Sequence, residues 1–125
     1  MIQSGVDIVK IARIERMTRR FGDRFIARVL NETERMEMSD TAHYLAGRFA
    51  AKEAVAKAIG TGVWRCGVSF TDLEIRRDKR GRPQVTLYGA AKDIFESEGG
   101  RRVSVSISHD GEYAVAFAAA EYMKP

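Results

Sequence analysis

The apolar positions of this chain change period several times. Residues 2–11 set Val6, Ile8, Val9 and Ile11 around a single acid, Asp7, and predict a first strand. Residues 12–21 and 23–30 predict two short basic helices, broken near Gly22. Asn31 followed by Glu34 has capping-box spacing and opens a helix to about residue 38. Thr41 begins the longest predicted helix, which runs to Ile59 and ends at Gly60-Thr61-Gly62. Strands over Phe70–Arg76 and Gln84–Leu87 flank the charged turn Asp78-Lys79-Arg80-Gly81-Arg82-Pro83. Residues 88–98 predict a short helix closed by Gly99-Gly100. Val103, Val105 and Ile107 then alternate with Ser104, Ser106 and Ser108. Asp110-Gly111 signals a hairpin, and Tyr113–Ala119 is the returning strand. The pattern as a whole is α+β: an antiparallel sheet packed against a long helix.

Composition narrows the setting. The 125 residues contain no repeat or low-complexity linker, which predicts one domain over 1–125. Apolar residues make up 45% and charged residues 30%, values that argue against disorder. The lone cysteine, Cys66, has no internal disulfide partner, and no Cys/His group has zinc spacing. A reducing cytoplasm is the simplest setting. The opening Met1-Ile2-Gln3-Ser4-Gly5-Val6-Asp7 lacks a basic n-region, so no secretory signal is expected. No run approaches the ~18 apolar residues of a membrane helix.

Charge adds more. Lys+Arg minus Asp+Glu is 21 − 17 = +4, and the excess is uneven. Lys10, Arg13, Arg16, Arg19, Arg20, Arg24 and Arg28 face only Glu15 and Asp23 over residues 10–28. Such a patch attracts an acidic partner, whether nucleic acid, membrane surface or acidic protein.

Three places break the rules of a plain core. A carboxylate at Asp7, inside an apolar strand, needs a cation or donors to offset several kcal/mol of desolvation. Taken alone, it reads first as a wet-face acid paired with an arginine. Glu53 and Lys57, four apart on the long helix, share a face. They read either as a helix-stabilising pair or, enclosed by the alanines at 50, 51, 54, 56 and 58, as a metal ligand and a phosphate-holding ammonium. Ser106-Ile107-Ser108-His109 ends a strand. It reads as a capped strand end or as hydroxyls and imidazole suited to a phosphate, with no Gly-x-Ser-x-Gly elbow or Ser-His-Asp set. Gly60-Thr61-Gly62 follows a helix, unlike nucleotide-fold glycine loops, and helix termination explains it. Trp64 suits either core or contact surface.

In this order, three segments resemble the holo-acyl-carrier-protein synthase family of phosphopantetheinyl transferases. They are Gly5-Val6-Asp7-Ile8-Val9, the helix Arg48-Phe49-Ala50-Ala51-Lys52-Glu53-Ala54-Val55-Ala56-Lys57-Ala58-Ile59-Gly60, and Ser106-Ile107-Ser108-His109 before Tyr113-Ala114-Val115-Ala116. The helix segment is the most specific, and the match runs over essentially the whole chain. The resemblance implies the 4′-phosphopantetheinyl transferase fold and a homotrimer with sites at subunit boundaries. It implies transfer of phosphopantetheine from coenzyme A to a serine of acyl carrier protein, with 3′,5′-ADP leaving. Asp7 and Glu53 are similar to that family's magnesium ligands, and Lys57 to its residue beside the scissile phosphates. Arg48, Ser108 and His109 resemble its coenzyme A contacts, His109 the one to the 3′-phosphate. Gly60, Thr61 and Gly62 resemble the border of its pantetheine path. Arg13, Arg20, Arg24 and Arg28 resemble its dock for an acidic carrier helix. Asp110 and Glu112 depart from a phosphate site, and their carboxylates must point away if His109 holds one.

The rival reading is a small nucleic-acid-binding module, which the pI near 9.5 favours. It has no recognised motif or aromatic stacking platform behind it, and it leaves Asp7 and Glu53 unexplained. A catalytically dead family member serving as a scaffold is a third possibility, against which the intact Asp7, Glu53 and Lys57 argue.

Overall fold

The computed structural model describes residues 1–64 and 66–123. Its strands are β1 (Ile2–Lys10), β2 (Leu73–Arg77), β3 (Pro83–Leu87), β4 (Gly100–Asp110) and β5 (Tyr113–Tyr122). Its helices are α1 (Ile11–Phe21), α2 (Asp23–Val29), α3 (Glu32–Glu37), α4 (Thr41–Ala58) and α5 (Gly89–Ser97). The α+β expectation holds, with one difference. There are two antiparallel sheets, a three-stranded sheet in the order β1-β5-β4 and the separate hairpin β2-β3.

The large sheet is two-faced. Its inner rows are Gly5–Ala118–Val105, Asp7–Ala116–Ile107 and Val9–Ala114–His109. Alanines along the middle strand leave room for a helix to lie close. That helix is α4, whose own Ala50, Ala51 and Ala54 are fully buried. Two glycines set the approach. A Cβ on Gly5 would drive into the Ala54 carbonyl oxygen and come within 2.8 Å of the Ala58 nitrogen. A Cβ on Gly47 would press on Ile107 and His109 at 3.1–3.2 Å. The outer rows are Ile8–Val115–Ser108, Val6–Phe117–Ser106 and Ser4–Ala119–Ser104. Val6, Ile8 and Phe117 remain 57%, 60% and 50% exposed there.

On the side of α4 away from the sheet lies a polar knot. Lys52 Nζ donates to Glu34 Oε1 at 2.7 Å and to the carbonyls of Val29 and Phe70 at 2.6 and 2.9 Å. Glu34 also accepts from the backbone N–H of Asn31 and Ile75 at 2.9 and 2.8 Å. Both side chains are wholly buried. Burial pushes the lysine below its ordinary pKa, with Glu34 opposing. Three acceptors nevertheless match the three donors of an ammonium. This ion pair ties α3, α4 and β2 together, and the Asn31/Glu34 capping box is part of it.

Some boundaries differ from the sequence pattern. Phe70–Asp72 forms a 3₁₀ turn ahead of β2 rather than the start of that strand. The cause is a reciprocal cap, in which the Ser69 N–H donates to Asp72 Oδ2 at 3.2 Å. β4 begins at Gly100, so this glycine belongs to the sheet and not to the helix end. Phe95 explains why glycine is needed there, since its ring would overlap a Cβ on residue 100. In the β4–β5 hairpin Asp110 pairs with Tyr113, so Gly111-Glu112 is the turn, with Gly111 at φ 58°. Among the described residues no helix is long and apolar enough to cross a membrane.

Candidate active site

Asp7 shares the inner face of β1 with Gly5 and Val9, so it points towards α4. Lys57 Nζ reaches over to donate to the Val6 carbonyl at 2.9 Å and to Asp7 Oδ1 at 3.3 Å. Glu53 stands one turn back on the same flank of the helix. Burial pushes its carboxyl above the usual pKa, and the negative charge of Asp7 pushes in the same direction. Lys57 and Arg13 oppose this shift without cancelling it. Two carboxylates and two cations therefore share one electrostatic neighbourhood. The Lys57 side chain is 51% exposed, less enclosed than its alanine neighbours imply. Two of its three donors are engaged, leaving one for a ligand.

The second cluster lies on the other flank of α4. Arg48 is 5% exposed. Its Nε donates to the Ile75 carbonyl at 3.1 Å, its guanidinium sits 4.4 Å from the Tyr44 ring centre, and its buried Nη2 has no hydrogen-bond partner among the described residues. His109 Nε2 donates to the His43 carbonyl at 2.9 Å. That acceptor fixes the proton on Nε2, leaving Nδ1 for other company. Arg48, Arg77, Gly81, Pro83, Ile107 and His109 line a cavity of about 170 Å³. Neither Asp110 nor Glu112 is in that lining, as a phosphate site there requires.

Helix geometry keeps the clusters apart. Gly47, Ala54 and Ala58 face the sheet. At roughly 100° per residue, Glu53 and Arg48 project about 140° apart, one towards the β1 side and the other towards the β4 side. The seam between them is closed, because Ala114, Ala116, Ala118 and Ala120 are buried against the helix.

The remaining expected residues fall in different places. Ser108 occupies the outer sheet row, away from the pocket of its neighbour His109. Gly60, Thr61 and Gly62 cap α4 beside Lys57, with the Thr61 and Gly62 N–H groups donating to the Ala56 carbonyl at 3.1 and 3.2 Å. Gly60 also lines a cavity with Lys57, Gln3 and Tyr122. Arg13 stands 6.0 Å over Phe49 and acts on Glu53. Arg24 and Arg28 flank an apolar groove of about 380 Å³ whose floor includes Met17, Phe25, Phe49 and Phe70 and whose end is Glu53. Trp64, exposed, lines the same groove, with Arg28 4.6 Å above its ring. Arg20 lies over Phe21 and does not line that groove. Sequence reasoning passed over Lys52, Tyr44 and Arg77. Lys52 had only its place in an alanine-rich helix as a signal, and the other two had none.

The α+β architecture sets two carboxylates and two cations on one flank of α4 and an arginine–histidine pocket on the other. Residues 3–118 match the family model described as the 4′-phosphopantetheinyl transferase superfamily. The chain is 42% identical over 122 residues to holo-[acyl-carrier-protein] synthase of Herpetosiphon aurantiacus, covering 94% of this chain and 96% of that one. It superposes on the crystal structure of holo-[acyl-carrier-protein] synthase from Neisseria meningitidis with a TM-score of 0.89 at 41% identity, covering 97% and 99% of the two chains. A Helicobacter pylori holo-[acyl-carrier-protein] synthase in complex with coenzyme A gives 0.85 at 36% identity, covering 97% and 100%. The chain belongs to the 4′-phosphopantetheinyl transferase superfamily.

Proposed function

We propose that this chain moves the 4′-phosphopantetheine group from coenzyme A to a serine of apo-acyl carrier protein and releases 3′,5′-ADP. The observation that carries this reading is the convergence of Asp7, Glu53 and Lys57 on one flank of α4. A pair of carboxylates, one of them with its pKa raised by burial and by the other's charge, fits a hard divalent cation with few protein ligands. Magnesium bound by Asp7 and Glu53 would neutralise pyrophosphate charge. Lys57 keeps a donor for a phosphate oxygen and stabilises the charge that grows on departing 3′,5′-ADP. The carrier serine oxygen bonds to the β-phosphorus as the anhydride bond to 3′,5′-ADP breaks, and the hydroxyl proton is released. No protein nucleophile is needed, only positioning and charge.

Coenzyme A also carries a phosphate on its ribose, and Arg48 with His109 suits it. That pocket lies on the flank of α4 away from the acids. One protomer therefore supplies Asp7, Glu53 and Lys57, and a neighbour supplies Arg48 and His109. A closed homotrimer has three such boundaries. Exposed Val6, Ile8 and Phe117 on the outer face of the β1-β5-β4 sheet supply an apolar surface to be covered. The groove between Arg24 and Arg28 suits an acidic amphipathic helix of the carrier, its apolar side chain on Phe25 and Phe49.

The test is an incubation of apo-carrier protein, coenzyme A and magnesium with this protein, read by mass. A gain of one phosphopantetheine that a chelator prevents is the expected result. An unchanged carrier mass refutes the reading.

A further inference from the structure

Asp110 directly follows His109 in the chain, yet it takes no part in that residue's pocket. Strand alternation gives the reason. His109 belongs to the inner row with Val9 and Ala114, so Asp110 falls on the outer face of the sheet, in the row Lys10–Tyr113–Asp110. Lys10 ends one edge strand and Asp110 the other. Their backbones are two strand spacings apart, roughly 9.6 Å, with Tyr113 between them. Both residues are exposed. Among the described residues neither has an ion-pair partner.

This is the one level at which the two edges carry opposite charges on the outer face. Below it Ile8 lies level with Ser108, Val6 with Ser106 and Ser4 with Ser104. At the far end Arg102 lies level with Ile2 and is 3.4 Å from Glu121 of its own chain. Glu112 belongs to neither edge. It lies in the turn, with its carbonyl accepting from the Ile11 N–H at 2.9 Å. In a closed ring each boundary joins one edge of a subunit to the opposite edge of the next. A ring axis running along the strands keeps every row at its own height, which brings Lys10 of one copy level with Asp110 of the next. A two-fold pairing of β1 edges would instead leave Asp110 on the far side of each sheet. The charge pattern therefore favours a ring over a two-fold dimer.

We propose that Lys10 of one copy pairs with Asp110 of the next, and that this pair sets the register of the boundary across which Asp7 and Glu53 approach Arg48 and His109. Lys10 and Asp110 are positioning residues. The proposal rests on the shared-site reading given above.

Light scattering of the full chain over a dilution series tests it, with circular dichroism as the check on folding. Lys10 makes no side-chain cap to α1, so its replacement costs the helix no cap bond. Lys10→Glu and Asp110→Lys each set like charges at every boundary. Each should raise the concentration at which the assembly half-dissociates at least about tenfold in low salt, and added salt should shrink the difference. The double variant Lys10→Glu/Asp110→Lys restores the pair with its signs exchanged and should return close to the wild-type midpoint. Glu112→Lys should leave the midpoint unchanged. Single variants that assemble like the wild type, a double variant no better than the singles, or an equal loss in Glu112→Lys overturns the proposal, as does a wild type that stays monomeric. The mass assay separates the two readings. Transfer by the wild type without rescue in the double variant removes the ion pair alone. Absence of transfer with rescue of assembly intact removes the enzyme and leaves the boundary pair standing.

Discussion

Replacing Lys52 with methionine probes how the fold holds α4. Methionine keeps most of the volume and deletes the ammonium. Glu34 then stays buried with its backbone donors but without its counter-charge, and the carbonyls of Val29 and Phe70 lose their donor. Breaking a buried pair from one side costs about 3–5 kcal/mol, because the remaining ion is uncompensated. At about 2.1 cal/mol/K per residue, the unfolding entropy of a chain this long is roughly 0.26 kcal/mol/K, so Tm should drop by roughly 11–19 °C. The assay is thermal unfolding followed by circular dichroism, at a single protein concentration. Adding Glu34→Gln to Lys52→Met removes the stranded charge and should recover part of the loss. A drop below about 1 kcal/mol for Lys52→Met, or further destabilisation in the double variant, would refute the reasoning.

Other predictions follow from single contacts. Glu53 has its pKa raised by burial and by Asp7, so its ionised form costs the folded state stability above that pKa, and the cost disappears below the ordinary glutamate range. Glu53→Gln should therefore melt higher than the wild type at pH 8 without metal, melt alike near pH 4, and lose transfer activity. Gly5→Ala forces a methyl into the Ala54 carbonyl, and chemical denaturation should show a loss of about 1–3 kcal/mol. Arg24→Glu should raise the KM for carrier protein far more than that for coenzyme A, with carrier binding weakening as salt rises; an unchanged carrier KM removes Arg24 from the dock. Phe117→Glu, on the exposed sheet face, should lower the mass seen by light scattering while the monomer remains folded.

Much of this was legible in the chain itself. The period-two serines of β4, the Asn31/Glu34 box and the glycine stop after α4 all mark their elements through local chemistry. Asp7 and Glu53 stood out because an acid among apolar or alanine neighbours needs a compensating partner. What the sequence withheld depends on long-range packing. Lys52 and Glu53 are adjacent and equally polar in sequence, yet one is sealed in a knot and the other opens on a groove. Only the rotation of α4 over the alanines of β5 decides between them. His109 and Ser108 part in the same way, since consecutive strand residues point to opposite faces. The apolar character of Phe70 suggests strand and hides the Ser69–Asp72 cap that makes it a 3₁₀ turn. Arg77 looked like any charged residue before a turn until Tyr44 brought it beside Arg48.

In the proposed enzyme, Asp7 and Glu53 of one protomer would meet Arg48 and His109 of its neighbour. Glu53→Gln and Arg48→Met each remove one half, so each protein alone should be nearly inactive in the mass assay. Co-expressed in equal amounts, the two chains should form mixed assemblies in which roughly a quarter of boundaries pair an intact acid cluster with an intact phosphate pocket. The purified mixture should recover about that fraction of wild-type transfer. A mixture no more active than its parents would contradict the shared site.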